Sequence, residues 1–263
     1  MAGGREHLTS GTLMVGTKKS LGQHWLKNRE VLEEIADLTG SGELCVEIGP
    51  GLGFLTSSLL KRFDKVIAVE FDDRLAENLP KSFPGKNLEV IHGDFLEYDF
   101  KGVAAPFMIA GNIPYYITSP IVEKVLCLEV LPERVVLLIQ KEVAERILSD
   151  KETVLSLFVK NRAEVSAGPV VKAELFTPPP KVDSEVIVME PYKDGPKVSD
   201  EVFDLIRRGF GAPRKKLVHN LAGLKSKEEI LKMLKELDIS VDARPGDLHL
   251  EDWGNLYQAL KNQ

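Results

Sequence analysis

The apolar run Leu44-Cys45-Val46-Glu47-Ile48 has the length of a buried strand, and it ends in a glycine-rich turn, Gly49-Pro50-Gly51-Leu52-Gly53. Phe54 to Arg62 then spaces apolar residues as a helix does, so the chain reads strand, tight turn, helix. No other feature constrains the fold as much, because a strand followed by a covering helix leads to a second strand parallel to the first. The alternation continues: strand over Lys65 to Glu70, helix over Asp72 to Leu79, strand over Leu88 to His92, strand over Phe107 to Gly111 and helix over Ile117 to Leu128. A strand over Arg134 to Ile139 and a helix over Lys141 to Leu148 complete it. This pattern implies an α/β fold with a mostly parallel sheet covered on both faces. Arg162 to Val171 and Glu185 to Glu190 add antiparallel strands at one edge, and Val31, Leu32, Ile35, Ala36 and Leu38 predict an amphipathic helix over 28–39.

Pro191, Gly195 and Pro196 punctuate the chain after the last strand and make 191–198 a linker. Beyond it the pattern is helical only, with apolar faces at Val202, Leu205, Ile206 and Phe210, at Ile230, Leu231, Leu234 and Leu237, and at Leu256, Tyr257 and Leu260. The expected organisation is a disordered leader over 1–17, a sheet domain over 18–192 and a small all-helical C-terminal domain over 193–263, which a length of 263 residues accommodates. No apolar stretch approaches the ~20 residues that cross a bilayer, and the leader has no apolar segment of the secretory kind, so no membrane partner is expected and the cytoplasm is the expected compartment. Cys45 and Cys127 are the only cysteines and the histidines are scattered singly, so neither a disulfide framework nor a metal site is expected.

Ligands of open α/β sheets bind at the carboxyl ends of the strands, and three consecutive strand ends here carry suitable groups. The sixth residue from Gly49 is Phe54, so the Gly-x-Gly-x-x-Gly dinucleotide fingerprint fails, and no Walker lysine follows the turn. Glu70 closes the second strand 19 residues after Gly51, where an acid accepts hydrogen bonds from both ribose hydroxyls of a nucleoside. Asp94, in His92-Gly93-Asp94-Phe95, ends the third strand and is placed to accept a bond from an adenine amine of the same ligand. Taken singly, each acid reads more readily as a helix cap or a surface charge. Together with the turn they describe a nucleoside pocket.

The fourth strand runs into Asn112-Ile113-Pro114-Tyr115. Read alone, these four residues are also an ordinary strand-terminating turn. Beside a nucleoside pocket they suggest methyl transfer to a planar amine. The exocyclic amine of adenine is a poor nucleophile because its lone pair is delocalised into the ring, so an enzyme must hold both N–H bonds and favour pyramidal geometry. Acceptors do this, not bases. The Asn112 side-chain oxygen and the Ile113 carbonyl each offer one, since Pro114 disfavours helical backbone at Ile113, and Tyr115 follows as a ring on which the base stacks.

Net charge is −6, which by itself opposes a nucleic-acid partner. Distribution matters more than the sum: Arg207, Arg208, Arg214, Lys215, Lys216, Lys225 and Lys227 occur within 207–227 without one Asp or Glu, and such a block forms either a solvated helix face or a phosphate-binding patch. Lys18, Lys19, Lys27 and Arg29 form a weaker second group.

The ordered set Gly49-x-Gly51-x-Gly53, Glu70, Gly93-Asp94 and Asn112-x-Pro114-Tyr115 resembles the adenine-N6 methyltransferases that use S-adenosylmethionine. It is most similar to the ribosomal RNA adenine dimethyltransferases of the small-subunit group. Leu21-Gly22-Gln23-His24-Trp25-Leu26, Gln140-Lys141-Glu142-Val143-Ala144-Glu145-Arg146 and Phe176-Thr177-Pro178-Pro179-Pro180-Lys181-Val182-Asp183-Ser184 match three further blocks, so the resemblance covers about 18–260. It implies a Rossmann-like class I methyltransferase sheet and places cofactor contacts at His24, Leu26, Gly49, Gly51, Glu70, Asp94 and Asn112. It also implies that Phe176 stacks opposite Tyr115, and that Arg207, Arg208, Arg214, Lys215 and Lys216 grip rRNA. The implied substrate is two adjacent adenines in a loop near the 3′ end of small-subunit rRNA, within a small ribosomal subunit precursor, and the implied state is a monomer. Two departures stand out: His24 replaces the commoner Asn, and Thr153-Val154-Leu155-Ser156 replaces a Tyr-Gly-x-Leu-Ser stretch, which leaves that segment's geometry open. A large-subunit methyltransferase, a non-catalytic assembly factor and a small-molecule methyltransferase are the alternatives.

Overall fold

The computed structural model describes residues 23–103 and 106–262; the expected leader, Lys18, Lys19, Leu21 and Gly22 lie outside the described residues. The sheet strands are β2 (Gly42–Ile48), β3 (Phe63–Glu70), β4 (Leu88–His92), β5 (Met108–Asn112), β6 (Arg134–Gln140), β7 (Ala163–Val171) and β9 (Ser184–Pro191), in the spatial order β4-β3-β2-β5-β6-β9-β7. The first five are mutually parallel, and β9 runs antiparallel to both β6 and β7. After β4 the chain crosses back over β3 and β2 to place β5 on the other side of β2, so the strand order reverses between β2 and β5. Such a switch point opens a crevice beyond the carboxyl ends of the two strands.

Both faces of the sheet are buried, and the strand sequences show it residue by residue. Val46, Ile67, Ile109, Val135, Leu137, Ile139, Ile187 and Met189 enter one apolar cluster, whereas their neighbours Cys45, Val66, Ala110, Val136, Leu138, Val186 and Val188 enter the other. Helices α1 (Arg29–Thr39) and α2 (Phe54–Leu59) cover the second face. On the first face lie α4 (Thr118–Val125), α5 (Lys141–Leu148) and α6 (Val154–Arg162), and the same cluster continues into α7 (Asp200–Gly209), α8 (Leu217–Asn220), α9 (Lys227–Glu236) and α10 (Leu250–Lys261). Helix α3 (Asp73–Ser82) packs beside β4. Trp253 fills the centre of the C-terminal helices: a Cβ on Gly209 would lie 2.2 Å from its ring, so only glycine lets α7 approach α10 this closely.

Helix α6 was not expected from periodicity. Thr153 opens α6 by accepting from Ser156 N at 3.0 Å while its own N–H donates to Ser156 Oγ at 2.7 Å, a reciprocal cap at the segment whose geometry the sequence left open. Leu157, Phe158 and Val159 in succession are buried, so α6 carries no polar stripe to reveal it. A separate two-stranded ribbon pairs β1 (Trp25–Leu26) antiparallel with β8 (Phe176–Thr177), joining the start of the described chain to a segment 150 residues further on.

Candidate active site

The crevice at the switch point is a single cavity lined from the ends of β2, β3, β4 and β5 and roofed by residues 23–26. His24, Leu26, Gly49, Gly51, Glu70, Asp94, Asn112, Ile113 and Pro114 all line it, so the structure brings these sequence-derived residues together. Tyr115 and Phe176 are not among its lining residues.

The turn after β2 exists because three glycines accept left-handed backbone, with φ of 62° at Gly49, 59° at Gly51 and 83° at Gly53. A Cβ at Gly51 would stand 3.3 Å from the Trp25 ring, and one at Gly53 only 2.6 Å from Leu79 Cδ1. Glu70, 5 % exposed, braces the turn: its Oε2 accepts from Gly51 N at 2.9 Å and its Oε1 from Asp72 N at 2.8 Å. A carboxylate accepts at about four lone-pair sites, so acceptor capacity is left for a ligand hydroxyl. Burial pushes this carboxyl above its ordinary value, while the backbone donors of Asp72, Gly51 and Phe71 oppose that shift. Asp94 uses Oδ1 to accept from Leu96 N at 2.8 Å, which shapes the loop after β4. Lys124 on α4 ties down the same loop, donating to the carbonyls of Leu96 and Tyr98 at 2.8 Å each.

Asn112 is oriented from the roof. Its Nδ2 donates to the His24 carbonyl at 3.0 Å, so Oδ1 is the atom left to accept from a ligand amine. The His24 ring is fixed in turn: Nδ1 donates to the Pro178 carbonyl at 2.7 Å, which makes Nε2 the acceptor in the neutral imidazole. Tyr115 lies across from His24, with ring centroids 6.1 Å apart and planes 19° from parallel, and its hydroxyl bonds Ser184 Oγ at 2.7 Å. Phe176 is 3 % exposed and belongs to the apolar cluster with Leu26, Leu32 and Ile35, because β8 pairs with β1 and turns the ring into the core. The ring facing Tyr115 is therefore His24.

Three residues of the site escaped the sequence reading. Glu47 lines the cavity at 1 % exposure, its Oε2 lacks a hydrogen-bond partner among the described residues, and burial pushes its carboxyl up to about 8. It sits inside an apolar strand run, where a single acid is the available sign. Phe71 and Tyr116 also line the cavity, at 59 % and 65 % exposure, and directly follow Glu70 and Tyr115 in the chain. Glu47, Glu70 and Asp94 thus face a cavity whose lining contains no Lys or Arg, an environment that favours a cationic ligand.

The basic residues lie elsewhere. Arg207, Arg208, Arg214, Lys215 and Lys216 are all exposed, and Arg214, Lys215, Lys216 and His219 border one shallow depression on the C-terminal helices. Arg207 pairs with Asp204 and Lys216 with Asp242, so part of this charge is already shared. No group of three or more His, Cys, Asp or Glu able to hold a metal occurs among the described residues, and none of the described helices is long and apolar enough to cross a membrane.

Residues 14–262 match the family model described as ribosomal RNA adenine dimethylase. The ribosomal RNA small subunit methyltransferase A of a Nostoc species is 36% identical over 268 residues, covering 94% of this chain and 99% of the relative. That of Dehalococcoides mccartyi is 38% identical over 270 residues, covering 97% and 92%. Among solved structures, a dimethyladenosine transferase from Plasmodium falciparum superposes with a TM-score of 0.79 at 30% identity over 91% of this chain and 98% of that one. The 23S rRNA methyltransferase ErmE superposes with a TM-score of 0.74 at 26% identity, covering 90% and 99%. Matches of this extent, on a Rossmann-like methyltransferase sheet, show that the chain belongs to the ribosomal RNA adenine dimethylase family.

Proposed function

We propose that this protein dimethylates N6 of two adjacent adenines in a loop near the 3′ end of small-subunit rRNA, acting as a cytoplasmic monomer on a small ribosomal subunit precursor late in assembly. Family membership makes it an S-adenosylmethionine-dependent adenine methyltransferase. The small-subunit choice is supported by relatives named small subunit methyltransferase A at 36–38% identity over nearly the whole chain, against 26% for the large-subunit enzyme of known structure.

The cavity fits the cofactor. A glycine turn without Cβ atoms permits close approach, Glu70 offers carboxylate oxygens to a ribose, Asp94 keeps an oxygen for an adenine amine, and the Glu47 Oε2, which has no partner among the described residues, suits a cationic group. When bound, S-adenosylmethionine supplies a methyl group already activated by a sulfonium centre. The residues of the chain then position and orient.

The observation that carries this reading is the Asn112 amide, turned by the His24 carbonyl so that Oδ1 is offered as an acceptor. Oδ1 and the Ile113 carbonyl hold the two N–H bonds of the target amine, drawing it toward pyramidal geometry so that its lone pair points at the incoming methyl carbon. As the nitrogen gains positive charge these acceptors stabilise it. The proton lost afterwards goes to solvent, so no general base is needed beside Asn112. Tyr115, anchored through Ser184, supplies a stacking face for the extruded base, and His24 stands across from it. Unstacking is cheapest in single-stranded loops, which favours RNA over duplex DNA. The exposed segment Arg207 to Lys216 contacts the RNA backbone.

The test incubates the purified protein and labelled cofactor with unmethylated small subunits, large subunits and naked rRNA. Label is expected in two adjacent adenines of the small subunit; label confined to the large subunit refutes the substrate assignment. Asn112→Ala is expected to abolish transfer while rRNA binding stays nearly intact, and undiminished turnover in that variant refutes the role of the amide.

A further inference from the structure

Resting on the adenine-methylation reading above, we infer that Tyr116 is a second stacking platform, which receives the nucleotide next to the one being methylated. All the exposed large aromatic residues among the described residues, Phe54, Phe71 and Tyr116, line this one cavity. Single exposed apolar side chains are ordinary on a surface, but three aromatics converging on one mouth are not. Phe54 and Phe71 follow the strand ends that carry the glycine turn and Glu70, so they border the nucleoside side. Tyr116 alone belongs to the loop that carries Asn112, Ile113 and Pro114.

Residues Tyr115–Ile117 form a 3-10 turn, in which successive side chains diverge by about 120°. Tyr115 turns inward, half-buried, and is pinned through its hydroxyl to Ser184. Tyr116 consequently points outward at 65 % exposure, and among the described residues its ring stacks on nothing. A base extruded to Asn112 leaves its neighbour in the strand at the cavity mouth, unstacked and in need of a new face. Two aromatic rings on consecutive residues, one anchored beside His24 and one at the cavity mouth, match two consecutive bases. The same arrangement serves a substrate with two adjacent adenines: whichever is not reacting rests on Tyr116. Aromatic stacking tolerates any base, so the platform accepts methylated and unmethylated neighbours alike.

The experiment measures steady-state methylation of an RNA hairpin whose loop contains the adenine pair, and of the same hairpin with an abasic nucleotide beside one target adenine. Tyr116→Ala is expected to raise KM for the intact hairpin roughly 5- to 150-fold, the range set by loss of one stacked base, with kcat and the Kd for S-adenosylmethionine unchanged. Tyr116→Phe restores the wild-type KM. The abasic hairpin inflicts a similar loss on the wild type and none further on Tyr116→Ala, because ring and base form one interaction. Equal KM for Tyr116→Ala and wild type overturns the proposal, as do losses from the variant and the abasic site that multiply, or a defect confined to kcat. A wild-type protein that methylates no RNA overturns the adenine-methylation reading first, and that outcome is distinct from all of these.

Discussion

Replacing Glu47 by Gln tests the electrostatics of the cavity most directly. Burial moves this carboxyl from 4.5 to about 8, so the folded protein holds a proton that the unfolded chain releases anywhere between those values. Stability from this group is therefore fully present below pH 4.5 and declines as pH rises toward 8, by ~1.4 kcal/mol per pH unit. The whole decline amounts to about 5 kcal/mol at most, comparable to the net stability of many domains. Glutamine has nearly the same shape and does not titrate. Other titrating groups are common to both proteins and cancel, so the difference in unfolding free energy between Glu47→Gln and wild type should grow in favour of the variant by ~1.4 kcal/mol per unit from pH 5 to 8 and level off above. Urea unfolding followed by tryptophan fluorescence at half-unit pH steps measures that slope. Binding supplies the second arm: a cationic ligand favours ionised Glu47, so at pH 6 to 7 cofactor binding to the wild type should expel up to one proton, visible by calorimetry in two buffers of different ionisation enthalpy. Glu47→Gln should expel correspondingly less and bind more weakly. Parallel stability profiles for the two proteins would refute the burial argument, and equal proton release would refute the cationic-ligand argument.

Three other outcomes follow from local geometry. Gly53→Ala puts a Cβ 2.6 Å from Leu79 Cδ1 and 2.8 Å from Phe83 at a φ of +83°, and should cost ~1–3 kcal/mol in urea unfolding while weakening cofactor binding. Lys124→Met removes both bonds to the Leu96 and Tyr98 carbonyls, and should weaken cofactor binding roughly 10-fold by loosening the Asp94 loop, at a stability loss of ~1–3 kcal/mol; unchanged calorimetric affinity would detach that loop from binding. For the basic segment, Arg214→Ala and Lys215→Ala should each reduce the slope of log K for RNA against log salt by about one, whereas Lys216→Ala, already shared with Asp242, should reduce it less. Filter binding across a salt series reads all three slopes.

The sheet was legible because its strands are buried on both faces and separated by turn residues, so runs such as Val135 to Ile139 can be little else. Helix α6 was not, since a helix packed on every side has no amphipathic period, and its cap residues Thr153 and Ser156 look like an ordinary polar pair. The ends of β2 to β5 were found from spacing because an acid or amide at a strand terminus is unusual within an apolar pattern. What spacing does not reveal is which way a side chain turns. Phe176 was expected to stack on the substrate base from resemblance alone, and pairing of β8 with β1 places its ring in the core instead. Tyr116 and Phe71 show the converse: each is an aromatic following a functional residue, and only exposure separates them from core aromatics.

The β1–β8 ribbon explains why the site needs distant parts of the chain. Strand ends supply acceptors and a turn, yet nothing on the sheet sets the sense of the Asn112 amide, and an amide turned the other way would offer two donors to an amine that also donates. The His24 carbonyl removes that ambiguity by accepting from Nδ2. His24 is itself held through Pro178, just beyond β8, and β1 is held by its pairing with Phe176 and Thr177. On the proposed mechanism Phe176, buried beneath this ribbon, would act on the target amine only through two intermediaries: it seats β1, β1 positions the His24 carbonyl, and that carbonyl accepts from the Asn112 amide. Shortening Phe176 to Ala should therefore lower kcat at unchanged RNA affinity, whereas loss of a stacking face would first raise KM. A Phe176→Leu variant, which keeps apolar volume without an aromatic ring, separates the two. Near-normal kcat and KM in Phe176→Leu support the supporting role, and a KM defect as large as that of Phe176→Ala would return the ring to the substrate.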